Sequence, residues 1–263
     1  MTVARIDALP RRAEAFEVRN IAAADLRDAL RQGWADFLEH RGDLLFVGII
    51  YPAVGLAAAA VALQDSLIPL FFPLAAGVGL LGPAVAGGFY ELARRREQGL
   101  ESGWSHFLDV IRRPSFDSFI GVAGLLLVMF FAWLAVAAGL YVALIGTAPP
   151  DSLAGFVTQL FTTPEGWALI VLGNLAGLAF AAAVLTVSVV AMPMLVDKDV
   201  DGRTAIHTSR MAVAANKGPM LRWGVTVAVL LVLGSIPFFV GLAVVLPVLG
   251  YATWHIYTRL VVR

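Results

Sequence analysis

The chain has 263 residues, of which 59% are apolar and only 14% are charged, and its 19 basic and 19 acidic side chains balance. A soluble domain carries about 25% charged residues, so the composition predicts an integral membrane protein and excludes an ordinary soluble domain. Cysteine is absent, which excludes disulfides, thiolate metal sites and covalent c-type haem.

Residues 1–43 form a charged N-terminal segment with an amphipathic helix. Its apolar residues recur at helical spacing, with arginines on the opposite side; they are Leu26, Leu30, Trp34, Phe37 and Leu38. Such a helix can lie in the plane of the lipid headgroups or pack on its own protein, and the two can both hold. The segment has no apolar run, so we expect no cleavable signal peptide.

Residues 44–258 contain long windows without a charged residue, and crossing a hydrocarbon core takes roughly 20 apolar residues. We therefore predict an all-α polytopic domain with six transmembrane helices. Their approximate bounds are Leu44–Leu63, Leu67–Tyr90, Ile120–Ile145, Trp167–Leu195 and, shared by helices 5 and 6, Trp223–Tyr257. The shared window bends near Gly234–Pro237 and is short for two crossings, so either both helices are short or they form a re-entrant hairpin.

The basic residues predict the orientation. Seven lie before Leu44, five between Arg94 and Arg113, five between Lys198 and Arg222, and two in the tail at residues 259–263. The intervening loops contain none. Under the positive-inside rule, the N-terminus, two internal loops and the C-terminal tail lie in the cytoplasm, which fits a bacterial inner-membrane protein.

An internal repeat is visible in two short phrases. "GWADFL" at residues 33–38 returns as "GWSHFL" at residues 103–108, each before a long apolar segment. Trp104, Phe107, Leu108 and Ile111 again fall on one helical face. We predict three hairpin units, each opened by a cytoplasmic amphipathic leader helix, the third beginning at "TAIHTSRMAV". The returning helix of each unit carries a proline; these are Pro83, Pro193 and Pro247.

Few polar groups lie inside the predicted spans. The candidate ligand or packing sites are Tyr51, Asn174, Ser235 and His255. Asn174 lies within Gly173-x-x-x-Gly177, a small-xxx-small pattern that brings helices together. Glu91 and Arg222 fall at cytoplasmic helix ends, where snorkelling suffices. With no ionisable residue at mid-depth, ion-coupled transport lacks its usual marker.

The most polar internal segment is "DKDVDGRTAIHTSRMAVAANKGP", residues 197–219. Asp201-Gly202 predicts a turn, and Thr204 is a candidate N-cap for the helix that follows. Asp197, Asp199 and Asp201 alternate as in a cation loop, but no glutamate closes it at the EF-hand spacing. We expect these carboxylates to pair with neighbouring basic residues and to bind no metal.

Three stretches resemble an uncharacterised family of bacterial integral membrane proteins. They are "GPAVAGGFYELARRREQG", "SVVAMPMLVDKDVDGRTAIHTS" and "VVLPVLGYATWHIYTRLV". The resemblance implies a six-helix membrane fold of unknown function, and some members carry a cytochrome c oxidase subunit I label. That label conflicts with this chain, because a catalytic oxidase subunit has about twelve spans and many intramembrane histidines, which ligate its haem and metal centres.

No catalytic motif is present, so we expect no enzymatic activity, no cofactor and no nucleic-acid partner. The leading hypothesis is an accessory or scaffold protein that contacts the bilayer, including anionic lipid at the cytoplasmic face, and a membrane-protein partner or a second copy of itself. Two alternatives stay open. One is a transporter or channel for a neutral or apolar solute, and the other is an accessory subunit of a respiratory oxidase.

Overall fold

The computed structural model describes residues 16–39, 60, 65–148, 150, 152–237 and 239–263. In this part of the chain the named elements are all helical, and one isolated antiparallel bridge joins Val18 to Val261. The α-helices are α1 (Ala23–Glu39), α2 (Phe71–Val78), α3 (Gly82–Val85), α4 (Gly87–Glu97), α5 (Phe116–Leu144), α6 (Leu153–Thr162), α7 (Pro164–Ser188), α8 (Ala191–Asp197), α9 (Gly202–Ala215), α10 (Lys217–Ser235) and α11 (Leu242–Leu260). Short 3₁₀ helices cover Asp65–Leu70, Gly79–Leu81 and Trp104–Arg112.

Four stretches of the described residues are long and apolar enough to cross a membrane. They are Ile68–Glu97, Phe116–Leu144, Pro164–Asp197 and Lys217–Ser235. The predicted all-helical membrane fold is thereby confirmed. The first predicted span, residues 44–63, lies almost wholly outside the described residues, and α11 is not among the four, so six crossings stay a prediction.

The last two helices are separated where the sequence placed a bend. Helix α10 ends at Ser235 and α11 begins at Leu242, and each has 19 residues. At 1.5 Å per residue each helix is about 28 Å long, close to the ~30 Å of a hydrocarbon core. This length was not apparent from the charge-free window, because α10 begins before Trp223 and α11 continues to Leu260.

The two ends of the bundle differ in chemistry. At one end a small apolar cluster joins Ile68, Tyr141, Phe156 and Leu160, and we call it the apolar end. The other end holds α1, α4, α8, α9, the 3₁₀ helix at 104–112 and the last turns of α11, and it carries the main buried core and the ion pairs. We call it the charged end.

Helix α1 packs along α11 at the charged end. Its buried face consists of Leu26, Ala29, Gly33 and Phe37, whereas Trp34 stays half exposed. At Gly33 the two backbones nearly touch, since a Cβ there would lie 2.7 Å from the nitrogen of Ala252 and 2.8 Å from another backbone atom. Helix α1 therefore packs on its own protein through one face, and Trp34 lies outside that face.

The second leader differs from the prediction, because residues 104–112 form a 3₁₀ helix. With three residues per turn, Trp104, Phe107 and Val110 share the inner face. Phe107 stacks edge-on against Phe89 of α4, with ring centroids 5.0 Å apart. Leu108 and Ile111, predicted on the same face, turn outward and are 63% and 53% exposed.

The third leader, α9, packs on α8 and repairs a break beside it. Pro193 has no N–H, and the long helix opens between α7 and α8. Ser209 of α9 bridges the open rung: its hydroxyl donates to the Thr186 carbonyl at 2.8 Å and accepts from the Val190 N–H at 3.3 Å. A serine of a neighbouring helix thus satisfies backbone groups that would otherwise be buried without partners. The N-cap of α9 is Asp201, which accepts from Thr204, so the predicted Thr204 cap is wrong.

Candidate functional site: the charged end

The ends of α4, α8 and α11 meet at the charged end in a dense core. Met192, Met194, Trp254 and Tyr257 have no measurable exposure, and neighbouring Phe89 has 1%. The close approach of α11 to α4 depends on Gly250, where a Cβ would lie 2.9 Å from Phe89. The three returning helices named in the sequence analysis therefore pack on one another where their polar ends begin.

A buried ion pair lies within α4. The guanidinium of Arg94 donates twice to Glu91, at 2.9 Å from Nε and at 2.6 Å from Nη2, and its third nitrogen donates to Gln98 at 2.7 Å. Glu91 is only 1% exposed and Arg94 is 8% exposed. The sequence analysis expected Glu91 to reach water by snorkelling. The carboxylate is instead buried and paired with Arg94, one helical turn further along.

A second cluster joins α1, α4 and α11 around Asp36. This buried carboxylate pairs with Arg96, and it lies 2.7 Å from Nε2 of His255. Arg96 also contacts Glu39. One acidic residue of the first leader thus fixes the ends of two other helices, which explains why α1 lies where it does.

A third cluster joins α4, α8 and the C-terminal residues. Glu97 accepts from the indole N–H of Trp254 at 3.1 Å and pairs with Arg263. Asp197 accepts from the hydroxyl of Tyr257 at 2.8 Å, and Arg263 lies 3.8 Å from its other oxygen. The final arginine therefore links two carboxylates from different helices, with its guanidinium 5.8 Å from the Trp254 ring.

Residues that connect the spans add further pairs. Nη2 of Arg113 donates to the Asp197 carbonyl at 3.3 Å, while its Nε is buried without a partner in the described structure. Burial and the nearby Arg94 lower the pKa of Arg113 from its usual value. The hydrogen bond from His106 lowers the pKa of Asp109, which also contacts Arg95 at 3.4 Å.

The N-terminal segment is held against the C-terminus by backbone bonds and by one asparagine. The Arg19 N–H donates to the Leu260 carbonyl at 2.8 Å. Asn216, buried at the junction of α9 and α10, accepts from the Ile21 N–H at 2.8 Å and donates to the Arg19 carbonyl at 3.0 Å. The sequence analysis did not identify Asn216. The feature of the sequence that could have indicated it is its position between an amphipathic helix and a membrane span.

A comparison with known families finds a match over part of the chain. Residues 71–197 match the family model described as "Predicted integral membrane protein (DUF2189)". The protein is an integral membrane protein. The match confirms the resemblance to an uncharacterised membrane family, and its span includes Glu91, Arg94, Glu97 and Asp197. No curated protein and no solved structure matches the chain.

The four candidate polar residues do not form one site among the described residues. Tyr51 lies outside them. Asn174, exposed on α7, donates from its amide to the Ile170 carbonyl of its own helix at 2.7 Å. Ser235 likewise donates to Leu231, at 2.8 Å, and His255 belongs to the Asp36 cluster.

The small-residue pattern around Asn174 brings only one glycine against a neighbouring helix. A Cβ at Gly177 would lie 3.3 Å from the Trp133 ring of α5, whereas a Cβ at Gly173 would meet no atom within 4 Å. The pattern thus provides one contact between α7 and α5, and the Gly173 side stays open.

The aspartates at 197, 199 and 201 do not converge. Asp197 faces Tyr257 and Arg263, whereas Asp201 caps α9. The backbone N–H of Thr204 lowers the pKa of Asp201. In the described part of the chain no three acidic or histidine side chains form a group that could hold a metal ion. The charged end is therefore chemically a set of ion pairs, some between different segments and others, such as Glu91–Arg94, within one helix.

Proposed function

We propose that this protein is a non-enzymatic accessory or scaffold component of the bacterial inner membrane. In this proposal it crosses the membrane six times, with its charged end and both termini in the cytoplasm. The observation that carries the proposal is the pairing at the charged end. Asp36, Glu97 and Asp197 pair with basic and polar groups of other segments, and Glu91 pairs with Arg94 of its own helix. Groups that are paired in this way fix helix ends, which supports a structural role.

The packing of the three leaders supports a closed ring of hairpin units. The 3₁₀ helix at 104–112 packs on α4, which ends the unit before it, and α9 packs on α8 in the same relation. Helix α1 packs on α11, the last returning helix. Each leader therefore covers the returning helix of the unit before it, if the third unit is taken to precede the first. This arrangement is expected for parallel repeats around an axis along the membrane normal.

A closed centre at the charged end favours a scaffold over a channel. The returning helices fill this centre with large side chains that have no exposure, including Met192 and Trp254. A polar cavity lined by Tyr51, Asn174 and Ser235 would favour the alternative of a transporter for a neutral solute. Both described residues instead donate to their own helices.

The second alternative, an accessory subunit of a respiratory oxidase, shares the accessory role and differs in its partner. A decisive experiment is purification in mild detergent from native expression, followed by an absorption spectrum and mass spectrometry of all retained components. A colourless preparation with lipid or a non-redox membrane partner supports the proposal. Haem bands or co-purified oxidase subunits would replace it by the oxidase alternative.

A further inference from the structure

Three exposed basic residues of the charged end have no acidic neighbour. Arg210, Lys217 and Arg222 are exposed, and no carboxylate of the described residues lies within 4.0 Å of them. No acidic residue follows Asp201 anywhere in the chain. The segment around Arg210, Lys217 and Arg222 therefore carries positive charge, and no acidic residue follows it in the sequence to balance that charge.

Two other exposed arginines of the same end, Arg31 and Arg112, each lie beside a carboxylate. Arg31 and Arg112 have 78% and 81% of their side chains exposed, yet Arg31 lies 3.0 Å from Asp28 and Arg112 lies 3.3 Å from Asp109. Arg31 and Arg112 thus differ from Arg210, Lys217 and Arg222 in being paired with a carboxylate, whereas all five are exposed. Variants of the two sets can therefore be compared as matched controls.

Lys217 continues an apolar stripe of α10. Leu221, Val225, Val229 and Val232 are each at least half exposed, and their spacing of four, four and three residues places them on one face. The stripe from 221 to 232 is about 16 Å long, which matches half of a ~30 Å hydrocarbon core. Lys217 lies one helical turn before the stripe, where α10 begins.

Little of the described structure lies beside Lys217. A Cβ at Gly218 would meet no atom of the described residues within 4 Å, and Met211, next to Arg210, is half exposed. A basic group above an apolar stripe is complementary to a phospholipid, which presents a phosphate above two acyl chains. The neutralised surface at Arg31 and Arg112 lacks that complementarity.

We propose that the exposed cations Arg210, Lys217 and Arg222 attract the phosphate headgroups of anionic phospholipids whose acyl chains lie along the α10 stripe. This inference deepens the proposed function, from which it takes its membrane setting. Anionic headgroups attract basic residues at the surface, and each cation contributes a factor of about five in affinity. Loss of two of the three cations should therefore lower the affinity about 25-fold.

The test uses the full-length protein in mild detergent. Phosphatidylglycerol and phosphatidylcholine with identical acyl chains are titrated separately, and bound lipid is counted by native mass spectrometry. Lys217→Gln/Arg222→Gln should reduce phosphatidylglycerol binding about 25-fold and leave phosphatidylcholine binding unchanged. Arg31→Gln/Arg112→Gln changes the net charge equally and should leave both unchanged, and Lys217→Arg should retain wild-type binding.

Several results would overturn the inference. They are equal losses in the two double variants, unchanged phosphatidylglycerol binding in a folded Lys217→Gln/Arg222→Gln variant, or equal wild-type affinity for the two lipids. Displacement by soluble glycerol phosphate at the same concentration as lipid would indicate a free-phosphate site and would also overturn it. A haem band in the same preparation would refute the proposed function without affecting the lipid comparison, so the two failures are distinguishable.

Discussion

Replacement of Arg94 tests whether the ion pairs of the charged end hold the bundle together. Arg94→Met removes both hydrogen bonds to Glu91 and leaves that carboxylate, only 1% exposed, without its partner. Breaking a buried pair by removal of one member typically costs about 3–5 kcal/mol, mostly because a buried charge is left uncompensated. We expect a loss of this size in the free energy of unfolding.

A matched control has the same spacing and little burial. Arg31 pairs with Asp28 three residues before it, as Arg94 does with Glu91, but the side chains of Arg31 and Asp28 are 78% and 46% exposed. Exposed pairs contribute about 0–1 kcal/mol, so Arg31→Met should have an effect within that range. The difference between the two variants isolates burial from charge.

The double variant Glu91→Met/Arg94→Met completes a mutant cycle. When both members are replaced by apolar residues the buried charge disappears, and such replacements are often neutral. We expect the double variant to recover most of the unfolding free energy that Arg94→Met loses. It should remain about 1 kcal/mol less stable than wild type, because the hydrogen bond from Arg94 to Gln98 is still missing. Unfolding is followed by tryptophan fluorescence in mixed detergent micelles. Equal effects of Arg94→Met and Arg31→Met, or a double variant no more stable than Arg94→Met, would refute the reasoning.

Three further predictions concern packing, backbone repair and pH. Gly33→Ala forces a Cβ against the backbone of α11 and should cost about 1–3 kcal/mol, whereas Gly103→Ala, whose Cβ would meet only a side-chain oxygen at 4.0 Å, should stay close to wild type in a thermal melt. Ser209→Ala should cost about 1–3 kcal/mol because two backbone groups lose their partner, and Ser188→Ala, whose hydroxyl bonds only within its own helix, should cost less. The pKa of Asp201 is lower in the folded chain than in the unfolded chain. The ionised carboxylate therefore stabilises the fold above about pH 4, and this contribution is lost as the pH falls below that value. Asp201→Asn should lack this acid-dependent loss of stability in an acid titration. Equal melting of the two glycine variants, equal melting of the two serine variants, or the same acid sensitivity in Asp201→Asn would contradict the respective prediction.

The spans could be read from sequence because charge marks their limits. The prediction of Ile120–Ile145 corresponds to α5 (Phe116–Leu144), and that of Trp167–Leu195 corresponds to the stretch Pro164–Asp197. Long charge-free runs leave few alternatives to a membrane helix. The same reasoning located the break between α10 and α11, where Ser-Ile-Pro interrupts an apolar run.

The contacts of the charged end could not be read in this way, because they depend on tertiary packing. Spacing predicted an α-helical leader at residues 104–112, but contact of Phe107 with α4 accompanies a 3₁₀ turn. The burial of Glu91 depends on α8 and α11 covering its helix, which no local pattern encodes. Likewise Ser209 has an ordinary sequence context, and its role appears only where α7 and α8 separate.

The central claim is a six-crossing protein whose charged end lies in the cytoplasm, and single-cysteine labelling tests it most directly. The chain has no cysteine, so each introduced thiol is unique. With a membrane-impermeant maleimide on intact cells, Ser152→Cys should react, while Glu101→Cys and a cysteine added after Arg263 should react only after permeabilisation. Labelling of the C-terminal cysteine in intact cells would mean an odd number of crossings after residue 101. Labelling of Glu101→Cys in intact cells would reverse the orientation, and either result would contradict the account.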